Sequence, residues 1–145
     1  DIPVVKTSRG GQATLHNPGQ LVIYPMISLR TMNISVRNFV EGLLEVSAKT
    51  LGKCNITIES SKDGIFTAQG KICSAGFNIK NGKSSHGLAI NVGNDLSEFA
   101  KIRACGVTNP KMDRVVNYVP GMTPEKLFLL WKEELLSTPG FQFRG

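Results

Sequence analysis

Residues 71–92 read KICSAGFNIKNGKSSHGLAINV and contain the chain's strong hairpin signal. Two runs rich in apolar residues, 71–80 and 85–92, flank the dipeptide Asn81-Gly82. Asn-Gly is a strong hairpin signal because both residues tolerate the positive φ angles that a two-residue turn requires. We therefore predict two long antiparallel strands joined at this dipeptide. Further glycine-containing turns before residue 71 extend the prediction to an antiparallel meander.

Helical periodicity appears on both sides of this meander. Apolar residues between positions 36 and 51 recur every three or four residues, which predicts a helix. Ser35 can cap its start and Gly52 its end. Thr123 and Pro124 open a second helix, because a capping hydroxyl and a proline in the first turn both favour a helix start.

Two further strands are predicted near the start of the chain, over residues 4–8 and over residues 21–29. Pro25 lies inside the second, which indicates a bulge or a sheet edge because proline cannot donate to a strand ladder. Together the elements predict an α+β fold, a mixed α/β sandwich in which helices pack against a mixed, partly antiparallel sheet.

The composition is that of one globular domain. The chain has 145 residues, 41% of them hydrophobic and 19% charged, and domains of ~100–200 residues are usual. No apolar run approaches the ~18 residues of a membrane span. The net charge is +6 and the basic residues are scattered, which is typical of an ordinary soluble basic surface. The alternative reading is that this charge steers an acidic partner and speeds association with it. Nucleic acid is not expected, since no basic stripe with interleaved aromatic residues appears.

The three cysteines, Cys54, Cys73 and Cys105, are far apart and form no CxxC pair. An odd number disfavours a disulfide framework, and this spacing disfavours a structural zinc site. We therefore expect reduced thiols in a cytosolic or otherwise reducing compartment.

Four segments are more polar and glycine-rich than packing requires. They are RGGQATLHNPGQ at 9–20, KICSAG at 71–76, SHGLAINV at 85–92 and ACG at 104–106. Glycines let a backbone approach a ligand closely, and exposed backbone N–H groups can hold an anion. These segments are therefore the candidate functional regions.

Cys105 and Lys71 are the candidate reactive pair. A thiol reacts as the thiolate, and its ordinary pKa of ~8.5 leaves it mostly protonated, so it needs a nearby cation. An ammonium at ~4 Å attracts a thiolate by at most about 4 kcal/mol at an effective dielectric constant of ~20, and half of that lowers a thiol pKa by more than one unit. Taken alone, Cys105 is better explained as an inert buried thiol and Lys71 as a solvated surface lysine. His16 and His86 are open to three readings: general base, hydrogen-bond donor or structural residue.

In this order and spacing, the four segments resemble the octanoyl transferases of lipoate biosynthesis. That family reads approximately R-G-G-Q-x-T-x-H-x-P-G-Q, K-I-x-[SA]-x-G, H-G-x-A-x-N-V and C-G. The resemblance covers nearly the whole chain. The first motif matches at Arg9, Gly10, Gly11, Gln12, Thr14, His16, Pro18, Gly19 and Gln20.

The resemblance implies an acyltransferase that takes an octanoyl group from acyl carrier protein. The acceptor would be a specific lysine of the lipoyl domains of 2-oxoacid dehydrogenases or of the glycine-cleavage H protein. Cys105 would form a thioester intermediate, and Lys71 would lower its pKa and later accept the proton of the amine. The residues that would bind substrate are Arg9, Gly10, Gly11, Gln12, Ala13, Thr14, Leu15, His16, Ser74, Ala75, Gly76, His86, Gly87, Leu88 and Ala89.

The resemblance also implies the fold of the catalytic core of lipoate and biotin protein ligases. It implies no cofactor and no metal, because the donor is already activated, and no membrane partner. The implied location is the cytoplasm, or the mitochondrial matrix of a eukaryote. Residues 1–145 would form a single catalytic domain that lacks the N-terminal part usual for the family.

The sequence departs from the family pattern at Asn17, where glycine is usual, and at Ala104, where proline often precedes Cys-Gly. Three alternatives stay open. One is a lipoate or biotin ligase that activates a free acid with ATP. The second is a non-catalytic module that binds lipoyl domains. The third is a cysteine hydrolase with a Cys–His dyad that uses His86.

Overall fold

A five-stranded sheet and two α-helices make up most of the structure, a computed structural model that describes residues 3–9, 13–102 and 110–141. The sheet order is β1-β5-β4-β3-β2. In chain order the elements are β1 (Gln20–Ile23), α1 (Val36–Lys53), β2 (Glu59–Ser61), β3 (Gly64–Thr67), β4 (Gly70–Lys80), β5 (Lys83–Asn91), a first 3₁₀ helix (Leu96–Lys101), a second 3₁₀ helix (Val115–Asn117) and α2 (Pro124–Ser137).

The predicted hairpin is confirmed. β4 and β5 pair antiparallel from Cys73 opposite Ile90 to Lys80 opposite Lys83. The two turn residues between them have φ angles of 52° at Asn81 and 74° at Gly82, the backbone that a two-residue hairpin turn requires. The meander continues through β3 and β2, so the central part of the sheet follows the chain order.

The α+β class is confirmed, but the sheet is more regular than the predicted mixed one. Every strand pair in the described residues is antiparallel. The single parallel contact among them is an isolated bridge between Lys71 and Met112. This bridge attaches the segment that follows residue 109 to the start of β4.

Both strands predicted near the start of the chain need correction. Residues 3–9 form no strand, so the strand over 4–8 is wrong. The strand over 21–29 ends at Ile23, because Pro25 has no N–H to donate and the chain leaves the ladder there. It returns where the Ser84 amide donates to the Ile27 carbonyl at 2.9 Å. β1 is an edge strand, as Pro25 indicates.

Both helices start as predicted. The Ser35 hydroxyl accepts from the Asn38 amide at 3.1 Å, and the Thr123 hydroxyl accepts from the Lys126 amide at 3.2 Å. α1 continues through Gly52 and ends at Lys53. No helix in the described residues has the length and apolar character to cross a membrane.

The core lies where α1 packs on the sheet and on α2. Phe39 of α1 meets Phe77 of β4 edge to face, with 5.6 Å between ring centroids. The buried Trp131 of α2 donates its indole N–H to the Ser47 hydroxyl of α1 at 2.9 Å. This bond satisfies two polar groups inside an apolar interface and thereby fixes how the helices sit together.

Candidate active site

A cavity of about 680 Å³ lies beside β4 and β5, within the ~300–1,000 Å³ usual for small-molecule sites. It joins three of the four predicted segments, although they are up to 80 residues apart in sequence. The predicted residues that line it are Arg9, Thr14, His16, Lys71, Ser74, Ala75, Gly76, His86, Gly87, Leu88 and Ala89. Lining residues that the sequence did not indicate are Tyr24, Asp63, Phe66, Gly70, Pro110, Lys111 and Met112.

Some predicted site residues are not placed in this wall. Ala13 is exposed, and Leu15 is buried in a small cluster with Phe99. The remaining predicted residues, Gly10, Gly11, Gln12 and Cys105, lie outside the described residues, as does Ala104. The structure therefore brings Lys71, the predicted activator, together with residues of the predicted binding segments. The role of Cys105 as nucleophile stays a prediction.

Lys71 is buried at the cavity, with 6% of its surface exposed. Its amide donates to the Lys111 carbonyl at 2.9 Å, and its carbonyl accepts from the Asp113 amide at 3.0 Å. The Lys71 ammonium lies 5.5 Å from the centre of the Phe66 ring, within cation–π range. The main chain of Lys71 is thus held on both sides while its side chain points along the cavity wall.

The described chain on either side of residues 103–109 is anchored at this cavity. After the segment, Pro110 and Met112 line the cavity wall. Before it, Ile102 packs with Met112 against the cluster of Leu15 and Phe99. The described residues next to this range, Ile102 and Pro110, therefore lie at or near the candidate site.

Asp113 forms a buried polar cluster behind Lys71. Its carboxylate accepts from the Thr67 and Tyr118 hydroxyls, from the Asn117 amide at 2.7 Å and from the Arg114 main-chain N–H at 2.8 Å. Burial works against ionisation, but these hydrogen bonds outweigh it and hold the pKa of Asp113 below its ordinary value. The cluster ties β3 and the second 3₁₀ helix to the segment that follows residue 109.

Asn91 connects the first motif to β4. Its amide N–H₂ donates to the Asp113 carbonyl at 3.1 Å and lies 3.4 Å from the Lys71 carbonyl. Its amide oxygen accepts from the Gln20 side chain at 2.9 Å. The last position of the first motif and the Asn of the third motif are therefore structural partners that hold Lys71 in place.

Gln20 also determines which ring nitrogen of His16 carries a hydrogen. Its N–H₂ donates to the Leu15 carbonyl at 3.1 Å, so its other amide atom must be the oxygen. That oxygen lies 3.1 Å from His16 Nδ1, which must therefore carry a hydrogen. In the neutral ring, Nε2 is left as the acceptor, 3.5 Å from the Tyr24 hydroxyl.

His86 has an unusual backbone and an unsatisfied ring nitrogen. Its φ is 60°, a strained value for a residue inside a strand. Its Nδ1 is buried with no hydrogen-bond partner among the described residues, and its ring meets Tyr24 edge to face. Strain and an unpartnered polar atom in a cavity wall favour a binding role over a structural one.

Positions 87 and 64 require glycine, because a neighbouring backbone carbonyl lies where a Cβ atom would be. A Cβ on Gly87 would lie 2.1 Å from the Ile23 carbonyl oxygen. A Cβ on Gly64, whose φ is 144°, would lie 2.0 Å from the Cys73 carbonyl oxygen and 2.9 Å from Lys71 Cε. Both glycines let neighbouring backbone pack directly against the cavity wall.

Asn17, which departs from the family pattern, has a specific use in this chain. Its N–H₂ donates to the Asp95 carbonyl at 2.9 Å, and its side-chain oxygen accepts from Asn94 at 3.0 Å. It is not among the described residues with positive φ. The Asn17 side chain attaches the first motif to residues 94–95, which a glycine at this position could not do.

The two described cysteines do not have the environment of a nucleophile. Burial raises the pKa of the Cys73 thiol to about 12, and the nearby Lys71 offsets only part of that rise. Burial also raises the pKa of the half-buried Cys54 thiol. In the described part of the chain, no three histidine, cysteine or acidic side chains converge as a metal site.

Residues 1–135 match the family model of the lipoyl protein ligase A/B catalytic domain. An octanoyltransferase of Photorhabdus laumondii is 38% identical over 147 positions, covering 100% of this chain and 69% of that protein. Octanoyltransferases of Serratia proteamaculans and Neisseria meningitidis are 38% and 42% identical over 97% and 88% of this chain. The chain spans 64% and 63% of their lengths.

Solved structures with this fold include lipoate-protein ligases. A lipoate-protein ligase A bound with ATP has a TM-score of 0.66 at 14% identity, covering 89% of this chain and 56% of that one. A bipartite ligase from Thermoplasma acidophilum, determined with its E2 lipoyl domain, has the same TM-score and identity over 55% of its chain. The resemblance drawn from the motifs is confirmed: this chain belongs to the lipoyl protein ligase A/B catalytic domain family.

Proposed function

We propose that this protein is an octanoyltransferase of lipoate biosynthesis that works through a thioester on Cys105. The observation that carries the proposal is the cavity that joins Arg9, Thr14 and His16 with Lys71 and with the wall formed by residues 86–89. Its relatives named octanoyltransferase support the same activity.

Lys71 is the proposed activator of the Cys105 thiolate. The burial of Lys71 supports this role, because a cation attracts a thiolate more strongly away from water. The anchored chain on both sides of residues 103–109 also supports it. Of the three cysteines, Cys73 and Cys54 have raised thiol pKa values, which leaves Cys105 as the thiol best suited to react.

The proposed reaction has two acyl-transfer steps. The Cys105 thiolate attacks the octanoyl thioester of the donor, a new C–S bond forms, and the C–S bond to the donor breaks. The Lys71 ammonium gives its proton to the leaving donor thiolate and becomes a neutral amine. A neutral acceptor amine then attacks the acyl-enzyme, a C–N bond forms, the Cys105–acyl bond breaks, and Lys71 accepts the proton that the amine releases. No oxidant and no ATP enter the balance.

The proposed donor is octanoyl-acyl carrier protein, and the proposed acceptors are lipoyl domains and the glycine-cleavage H protein. The net charge of +6 suits an acidic carrier protein, since opposite charges speed encounter. The T. acidophilum ligase determined with its E2 lipoyl domain supports a lipoyl acceptor. We propose a cytoplasmic location, in line with the bacterial relatives.

Intact mass spectrometry with octanoyl-acyl carrier protein tests the proposal. We expect one octanoyl adduct on the protein, which is lost in Cys105→Ser and kept in the matched control Cys54→Ser. A well-folded protein without an adduct contradicts the proposal. The same assay with free octanoate and ATP tests the ligase alternative, for which pyrophosphate release is the readout.

The activator role has its own test. The rate of alkylation of the Cys105 thiol is measured against pH. In Lys71→Met we expect this rate to fall by about tenfold near neutral pH, because a rise of one unit in the thiol pKa lowers the thiolate population about tenfold. The exposed Lys83→Met is the control for loss of one positive charge. An unshifted pH profile in Lys71→Met rules out the activator role.

A further inference from the structure

The cavity has one acidic side chain in a basic environment. Among the described residues that line it, Asp63 is the single carboxylate, while Arg9, Lys71 and Lys111 are cationic. The acceptor in the proposed reaction is a lysine, which arrives as an ammonium because its ordinary pKa is ~10.4. An ammonium that enters the loaded cavity, in which Lys71 has given up its proton, meets the like charges of Arg9 and Lys111, so a counter-charge favours its entry.

The turn between β2 and β3 holds Asp63 beside Lys71. The Asp63 amide donates to the Ser61 hydroxyl at 3.2 Å, and the Asp63 carbonyl lies 3.4 Å from the Ala75 amide. The next residue, Gly64, lies so close to Lys71 Cε that a Cβ would be 2.9 Å from it. The Asp63 main chain is therefore fixed next to the side chain of the proposed activator.

The Asp63 carboxylate is available to a ligand. The side chain is exposed, and no described residue forms a hydrogen bond or an ion pair with its carboxylate oxygens. Its main-chain groups are bonded to Ser61 in the turn and to Ala75 of β4, so the fold does not depend on its charge. An acidic side chain held at a cavity wall without a structural task is suited to recognition.

We propose that Asp63 receives the ammonium of the acceptor lysine and aligns it for the second acyl transfer. This inference rests on the proposed function. The bound ammonium loses one proton to water before the amine attacks. Lys71, neutral after the loading step, lies beside the aligned nitrogen and accepts the second proton as the C–N bond forms. The role predicts selectivity: Asp63 matters for a cationic acceptor and not for an uncharged nucleophile.

The test uses the full chain, loaded with octanoyl from octanoyl-acyl carrier protein. Discharge of the acyl-enzyme is then followed with a lipoyl domain and, separately, with hydroxylamine, which is mostly uncharged at neutral pH. In Asp63→Asn we expect discharge to the lipoyl domain to slow by about fivefold, the scale of one exposed ion pair. Loading and discharge to hydroxylamine should be unchanged, and Asp63→Glu should restore part of the rate.

The control is Glu59→Gln, which removes the same charge from an exposed position of β2 that does not line the cavity. If Asp63→Asn slows both nucleophiles equally, or slows loading, or matches Glu59→Gln, the recognition role is wrong. If the unaltered protein never loads, the proposed function fails first and this inference fails with it. A defect confined to the lipoyl-domain step supports it.

Discussion

Replacing Asp113 by alanine is expected to lower the free energy of unfolding by about 3 kcal/mol. The carboxylate is 1% exposed and accepts four hydrogen bonds. The Asn117 and Tyr118 side chains are exposed and regain water when it is removed, so they contribute little. The Thr67 hydroxyl and the Arg114 amide are partly buried and each lose a charged acceptor, at about 1.5 kcal/mol apiece.

Urea unfolding followed by circular dichroism measures this loss. With a denaturant slope of about 2 kcal/mol per molar, the midpoint of Asp113→Ala should fall by about 1.5 M. Tyr118→Phe removes one exposed donor from the same carboxylate and should cost less than about 1 kcal/mol. Equal urea midpoints for Asp113→Ala and Tyr118→Phe would show that the partly buried Thr67 and Arg114 bonds do not stabilise the fold.

The difference in unfolding free energy between the parent protein and Asp113→Ala should decrease at acidic pH. The hydrogen bonds lower the pKa of Asp113 in the folded state, so the carboxylate contributes stability above its unfolded pKa of ~3.9. That stability is lost as the pH falls through the lower, folded pKa. The gap between the parent and Asp113→Ala should therefore stay constant from about pH 8 to pH 5 and narrow below about pH 4. A gap that widens in acid contradicts the assignment.

Three further predictions concern single positions. Gly64→Ala should lower the free energy of unfolding in urea by more than about 2 kcal/mol, because φ is 144° and the new Cβ would lie 2.0 Å from the Cys73 carbonyl oxygen. Gly52→Ala is the control: it lies in open space on α1 and should raise the free energy of unfolding by up to about 1 kcal/mol. Cys73, with its thiol pKa raised to about 12 by burial, should resist alkylation at pH 8 until urea unfolds the chain; peptide mapping that finds it labelled in the native protein contradicts this. Asn17→Gly should cost about 1 kcal/mol by thermal unfolding, because the bond to the Asp95 carbonyl is lost, and no change would show that this bond is not stabilising.

The elements with local signals were predictable from the sequence. Asn81-Gly82 encodes its own turn, and Ser35 and Thr123 cap their helices through atoms three residues away. Residues 4–8 carry a β-like composition, but the structure pairs them with no strand, so propensity alone gave the wrong element.

The candidate site was predictable only where a motif marks it. The family pattern of glycines and histidines in the four segments predicted residues that line the cavity. Asp113 gave no such signal, because its partner Thr67 is 46 residues away and neither residue belongs to a motif. Asp63 gave no functional signal either, since its place beside Lys71 depends on the packing of β3 against β4. Contacts of this kind are set by tertiary structure and leave no local periodicity.

The backbone attachment around the Lys71–Met112 bridge allows the side chains that line the cavity there to vary. The attachment to β4 uses the Lys111 carbonyl and the Asp113 amide, backbone atoms that almost every amino acid carries. The cavity wall at the same place is made by Pro110, Lys111 and Met112. Substitutions at these three positions can therefore change the width and polarity of the cavity without loosening its attachment. A library randomised at positions 110–112 is a suitable starting point for selecting altered acyl-chain preference.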